Sequence, residues 1–157
     1  MSETLGLRQN NIPTTSSHNP SYNKSSNAEV TTPLPAFNLA QISKELFDTI
    51  ADECANKIAI ANQEGKNKPT QLRRFYDELV LYYDRIEDES SFNDALPFIY
   101  MIKSKIAYAK GRGNVDIIFQ TFMNNLINQI KDIQTLKNAK LFMEAVMGFY
   151  KSYAKKD

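Results

Sequence analysis

The side chains best suited to chemistry in this sequence are cations set apart from acids. Lys66, Lys68, Arg73 and Arg74 lie in a stretch with no Asp or Glu. Lys103, Lys105, Lys110 and Arg112 lie in a second acid-free stretch, 95–115. Acids gather instead at 84–94, which contains Glu87, Asp88, Glu89 and Asp94. The chain as a whole is nearly neutral, with 19 Lys and Arg against 18 Asp and Glu. Net balance therefore says nothing about nucleic acid. Local basic patches are what hold phosphates, and this sequence has sorted its charge into such patches. Arg73 and Arg74 are placed in the first turn of their helix, where the positive end of the macrodipole disfavours cations. Two arginines there point to an external anion. The competing reading is a pair of surface ion pairs with Asp77 and Glu78, four residues on.

The residues needed for catalysis are missing. The one histidine is His18, in a polar stretch, and the one cysteine, Cys54, falls on the apolar stripe of a helix as a packed side chain. That leaves no zinc set and no Ser/His or Cys/His nucleophile pair, so no catalytic residue, metal or cofactor is expected. Gly111-Arg112-Gly113 lacks the length and preceding strand of a phosphate loop and reads as a helix stop. With a single cysteine there is no intramolecular disulfide framework, and a reducing compartment is the default. No apolar run approaches a membrane span and no secretory signal is evident, so a cytoplasmic location is expected.

The elements that must position these cations are helical throughout, which makes the fold class all-α. Residues 1–37 are about half Ser, Thr, Asn and Pro, too poor in apolar surface to offset chain entropy. They are read as a disordered polar tail ahead of a helical-bundle domain at 38–157. From residue 38 apolar residues recur three and four apart. The first helix carries Ile42, Leu46, Ile50, Cys54 and Ile58 and stops near Gly65. The second starts after Pro69 with Thr70 as N-cap and buries Leu72, Tyr76, Leu79, Tyr83 and Ile86. The third has Pro97 near its start, a stripe of Phe98, Ile99, Ile102, Ile106 and Ala109, and Gly111 at its end. Asn114 caps the fourth, with Val115, Ile118, Phe119, Phe122, Leu126 and Ile130 inward. Thr135 caps the fifth, with Ala139, Phe142, Val146, Phe149 and Tyr153 inward. About five helices with short connections form a compact bundle.

At 100° per residue, Lys103 and Lys110 share one flank of the third helix, and Lys105 lies on the other beside Tyr108. Tyr108 either stacks on a base or ribose or packs at the bundle edge. On the fifth helix Lys137, Lys140, Lys151 and Lys155 face outward. Leu136, Leu141, Met143 and Met147, with Ile117 and Ile127 of the fourth, lie off the inward stripes and suggest contact with neighbouring protein.

Three stretches, Lys68-Pro-Thr-Gln-Leu-Arg73-Arg74-Phe-Tyr, Leu96 to Arg112 and Phe142 to Tyr153, resemble in order and spacing the small subunit of the type III-A CRISPR (Csm) effector complex. The likeness runs from about residue 66 to the end. It implies a small helical bundle, present in several copies, forming the inner filament of an RNA-guided antiviral defence complex. Such a subunit contacts the crRNA–target RNA duplex along its backbone, while cleavage and second-messenger synthesis belong to other subunits. The family's threonine–x–x–arginine falls on Thr70 and Arg73, and its alanine–tyrosine–x–x–glycine–arginine on Ala107, Tyr108, Gly111 and Arg112. The 37-residue tail and the closing Ala154-Lys155-Lys156-Asp157 depart from the family pattern, so no role is transferred to either.

These readings converge on a non-catalytic RNA-binding subunit whose RNA-contact residues are Lys68, Arg73, Arg74, Lys103, Lys105, Lys110 and Arg112. Its expected partners are crRNA and target RNA, other Csm-complex subunits and further copies of itself, with no membrane. The alternative is a protein-only helical adaptor or scaffold without direct RNA contact, in which the basic patches meet acidic partner surfaces.

Overall fold

A computed structural model describes residues 34–154. Residues 1–33, most of the expected tail, lie outside the described residues together with Lys155, Lys156 and Asp157. Among those described there are five α-helices and no strand. A π-helical turn, Leu46–Ile50, runs into α1, Ala51–Ile60, which tightens to a 3₁₀ turn at Ala61–Glu64. Then come α2, Pro69–Arg85; α3, Glu89–Gly111; α4, Ile117–Asn128; and α5, Ile133–Tyr153. The long α5 is the centrepiece: α1 and α2 both pack on it, while α3 packs on α4 and α2.

The expected helices are present, but several begin elsewhere than expected. In α3 the start is Glu89, eight residues before Pro97, because Asp88 and Ser91 form a reciprocal capping box. The Asp88 carboxylate accepts from the Ser91 amide at 2.8 Å, and the Ser91 hydroxyl accepts from the Asp88 amide at 3.0 Å. A proline inside a helix costs about 3 kcal/mol. The capping box recovers about 1 kcal/mol of that. Burying Phe92, 1% exposed, on the added turns recovers about 2 kcal/mol more. The acidic connection is thus largely a helix start, where carboxylates suit the dipole.

At the starts of α4 and α5, too, aspartate does the capping. Asp116, not Asn114, caps α4 through the Phe119 amide at 3.0 Å. In α5 the cap is Asp132, and Thr135 supplies the reciprocal half of a second capping box. Lys68 occupies the N-cap position of α2 with no side-chain bond, and Thr70 lies inside the helix behind Pro69. Gly65 does end the first helical segment, in the left-handed conformation at φ +79°. After α3 the left-handed residue is Gly113, at φ +78°, instead of Gly111.

The core departs from the expected stripes by one position at several points. Ile42, Phe98 and Tyr153 are 52%, 55% and 42% exposed, while Phe75, Met123 and Tyr150 are buried. Leu136, Met143 and Ile127, expected on an outer surface, are fully buried. The apolar excess of α4 and α5 is therefore mostly core, because α5 is covered on two sides.

The aromatic rings run in a chain through the bundle. Phe75 of α2 meets Phe119 at 5.8 Å, Phe119 meets Phe122 at 6.4 Å, and Phe122 meets Phe142 of α5 at 5.8 Å. Phe37, which the sequence places at the end of the tail, completes this row at 4.6 Å from Phe142. Leu39 beside it is fully buried. This segment is clamped by amides: Gln129 accepts from the Leu39 amide at 2.8 Å and donates to the Phe37 carbonyl at 3.0 Å. Asn138 donates to the Leu39 carbonyl at 2.7 Å.

Asn67 ties the loops at one end of the bundle. It is fully buried and left-handed at φ +52°, a conformation asparagine tolerates. Its amide donates to the Asn114 carbonyl at 2.9 Å. Its side chain donates to the Ile58 carbonyl at 3.0 Å and the Asp116 carboxylate at 2.8 Å, and accepts from the Asp116 amide at 3.0 Å. The Tyr150 hydroxyl donates to its carbonyl. One residue thus joins α1, the start of α2, the α3–α4 turn and α5.

Asn67→Ala is expected to cost about 3 kcal/mol, because it strands buried partners in a left-handed backbone. Asn67→Asp, almost identical in shape, should also destabilise by setting a carboxylate against that of Asp116. Urea unfolding checks both, and a loss under about 1 kcal/mol for each would show that the network is dispensable.

The caps make a pH prediction. Hydrogen bonds from Ser91 and Thr135 hold the Asp88 and Asp132 carboxyls below the usual carboxylate range. Their contribution is fully present above the unfolded-state value and lost as pH falls through the folded one. Below roughly pH 5 the unfolding midpoint should therefore fall more steeply for the natural chain than for the Asp88→Asn, Asp132→Asn double variant. Parallel midpoint curves would rule this out.

Candidate nucleic-acid interface

The candidate cations are surface residues, and they divide into groups according to the element each leans on. Pro69 pre-sets the first turn of α2, so Arg73 and Arg74 fall in its second turn. The dipole effect fades within the first turn, and so it gives no argument for an anion at these arginines. Arg73 is largely accounted for within the protein. Its Nε donates to the Asp77 carboxylate at 2.9 Å, and its guanidinium lies 5.6 Å from the centre of the Tyr76 ring. Tyr76 in turn donates to Glu144 of α5 at 3.3 Å. An open groove of about 1060 Å³ follows this seam, with Arg73, Arg74 and Lys151 among its lining residues.

Arg74 forms no ion pair of its own among the described residues. Glu78, its expected partner, instead pairs with Lys105 of α3. That bond raises the Lys105 ammonium above its ordinary value, and the nearby positive charge of Arg74 opposes the rise. Arg74, Lys105 and Glu78 therefore form one cluster across the α2–α3 seam. Lys103, on the other flank of α3, donates to the Asn128 side chain at the end of α4 and lies 4.7 Å from the Tyr100 ring centre. The two flanks inferred from the sequence are both occupied, each by a different neighbour.

The remaining candidates meet at the Asn67 end. Lys68 follows Asn67 directly, and Arg112 precedes Asn114, to which Asn67 is bonded. The start of α2 thus lies beside the end of α3, and these segments carry the exposed Lys68 on one side and Lys110 and Arg112 on the other. Among the described residues none of Lys68, Arg74, Lys110 and Arg112 pairs with a carboxylate. Lys105 and Arg112, seven residues apart, share one face of α3 with Phe98, Met101 and Tyr108, exposed by 55%, 55% and 67%. This mixed apolar and basic face is not evident from the apolar stripe, which places Phe98 inward and leaves Met101 and Tyr108 unconnected to it. A full 100° projection of α3 carries the signal that finds it.

A family model described as Csm2 Type III-A matches residues 43–156. The chain belongs to the Csm2 Type III-A family. The match takes in α1 as well as the stretches whose resemblance starts at about residue 66. Among curated proteins, the "CRISPR system Cms protein Csm2" of Streptococcus thermophilus is 23% identical over 116 residues, which cover 70% of this chain and 95% of that protein. No solved structure matches significantly. As a Csm2 family member the chain is a small subunit of the type III-A Csm complex.

Cys54 is fully buried, and burial, reinforced by the neighbouring Glu53 carboxylate, pushes its thiol up to about 12. A thiol so protonated is not a nucleophile at neutral pH. No helix among the described residues is long and apolar enough to cross a membrane.

Because Lys68, Arg74, Lys110 and Arg112 are exposed and pair with no carboxylate among the described residues, and Arg112 bonds the exposed Tyr108 hydroxyl, replacing all four with Ser should leave the unfolding free energy within about 1–2 kcal/mol, given roughly 0.5 kcal/mol per exposed site. A drop of several kcal/mol would give these cations a structural job.

Proposed function

We propose that this Csm2-family chain is the non-catalytic, RNA-contacting small subunit of a cytoplasmic type III-A interference complex. Copies of it line the inner filament and hold the crRNA–target duplex by its phosphates. The observation that carries this reading is the set of exposed cations, Lys68, Arg74, Lys110 and Arg112, with no carboxylate partner among the described residues. The Asn67 anchor holds three of them on adjoining turns. Lys105 and Lys103 extend the positive surface along α3, and Arg73 borders it on α2. Such side chains neutralise phosphates and position a duplex without reading its bases.

Exposed Phe98 and Met101, with Leu81 of α2 at 45% exposure, favour an adaptor reading for that part of the surface. Contact with other subunits, or with further copies of the chain, would cover them.

The test is the salt dependence of RNA binding. The fourfold variant of Lys68, Arg74, Lys110 and Arg112 is expected to bind duplex RNA more weakly whatever its sequence. Its slope of log affinity against log salt should be shallower by about 3.6, at roughly 0.9 for each of four phosphates no longer neutralised. An unchanged slope and affinity would leave the adaptor reading in place.

A further inference from the structure

Tyr108 is 67% exposed, more than any other large apolar or aromatic side chain among the described residues. A ring in that position adds little to the core, yet it is held in place. Arg112, one helical turn on, donates from Nη1 to the Tyr108 hydroxyl at 3.1 Å. Its guanidinium lies 5.8 Å from the ring centre, well beyond the roughly 3.5–4 Å of face-to-face carbon contact. The arginine therefore anchors the hydroxyl end of the ring from one side and leaves the opposite face, towards Ser104 and Gly111, open.

The positions around Tyr108 divide by chemistry. The helical neighbours on one flank are Ser104 and Gly111, and on the other Lys105 and Arg112. A Cβ built at Gly111 would meet nothing within 4 Å, so a flat group can approach the ring from the small-residue flank. The cations on the opposite flank supply partners for a phosphate attached to that group. An open aromatic face beside a phosphate-binding edge is the arrangement that recognises an unpaired nucleotide, and it tolerates any sequence because every base has a π-face.

We propose that Tyr108, positioned by Arg112, is a stacking platform for one unstacked RNA base whose phosphate lies on Lys105 and Arg112. The proposal rests on the RNA-contact reading above and narrows it. A base inside a duplex is already stacked on both faces, so Tyr108 selects a bulged, flipped-out or single-stranded nucleotide. Phosphate neutralisation alone makes no such distinction.

The full-length chain is titrated with a single-stranded RNA carrying 2-aminopurine and with a fully paired duplex, using the natural protein, Tyr108→Ala and Tyr108→Phe. The single strand should quench the probe on binding. Tyr108→Ala should weaken single-strand binding by about tenfold, the order expected for one base–aromatic stack, and abolish the quench. Duplex binding should stay within twofold, and Tyr108→Phe, which keeps the ring but loses the hydroxyl that Arg112 holds, should keep the quench with a single-strand affinity between those of the natural protein and Tyr108→Ala. Equal effects of Tyr108→Ala on the two RNAs, or none on either, would overturn the platform and leave the phosphate reading standing. If the natural protein bound neither RNA, both would fall. Loss of a co-purifying protein from Tyr108→Ala with RNA binding unchanged would show that the ring receives a protein side chain, and would also overturn the proposal. Because the ring is exposed, all three proteins are expected to fold alike, which circular dichroism checks.

Discussion

A buried asparagine whose hydrogen-bonding groups are met by three separate elements is a strong constraint on how those elements can sit. Asn67 bonds the Ile58 carbonyl at the end of α1, the Asn114 carbonyl and both the amide and carboxylate of Asp116 beyond α3, and the Tyr150 hydroxyl of α5. Each is a directional contact, and leaving any buried member unmade carries a penalty of about 1–3 kcal/mol. Apolar packing alone is nearly indifferent to small slides of one helix along another. The Asn67 contacts are not, so they set the register at this end of the bundle. Asp116 serves twice, since the carboxylate that takes the Asn67 amide also caps α4. The loop network and the start of α4 are thus one structure.

From this anchor the interior is apolar and largely aromatic. The row from Phe75 through Phe119, Phe122 and Phe142 to Phe37 links α2, α4, α5 and the segment ahead of the first helix. The polar groups of that segment are met by Gln129 and Asn138. A non-helical stretch can lie against a core when its backbone amides and carbonyls are answered in this way. Polar side chains answer backbone groups at both places where irregular chain meets the interior.

The proposed phosphate contact makes opposite demands on the surface. It needs cations not already paired with acids, and among the described residues Lys68, Arg74, Lys110 and Arg112 meet that requirement while Arg73 and Lys105 are partly engaged by Asp77 and Glu78. Exposed pairs of that kind are worth about 0–1 kcal/mol, little enough for a phosphate to displace the carboxylate. The Asn67 anchor matters here as well, because it brings a loop at residue 68 beside a turn at residues 110–112. An interface built from distant segments keeps its spacing only if something rigid joins them.

Helix number and the all-α class are legible in the sequence, because amphipathic period is a local property. So are the two basic stretches and the family resemblance, which depend on order and spacing along the chain. Helix starts are misread where two signals compete. Pro97 looks like a beginning, but a capping box and a buried Phe92 outweigh its cost. Asn114 and Thr135 are plausible caps, each with an aspartate nearby that accepts the charge-favoured bond. The burial of Leu136, Met143 and Ile127, and the exposure of Phe98 and Tyr108, are decided only by tertiary structure, since which flank of a helix is covered depends on partners remote in sequence. The same holds for the pairing of Glu78 with Lys105 instead of Arg74, and for the bond from Asn67 to Asn114 that joins the segments of Lys68 and Arg112. A one-dimensional pattern can say that a helix has an inner face. Which other face it keeps open is settled by how the neighbouring helices are held, here by the directional bonds of one buried asparagine.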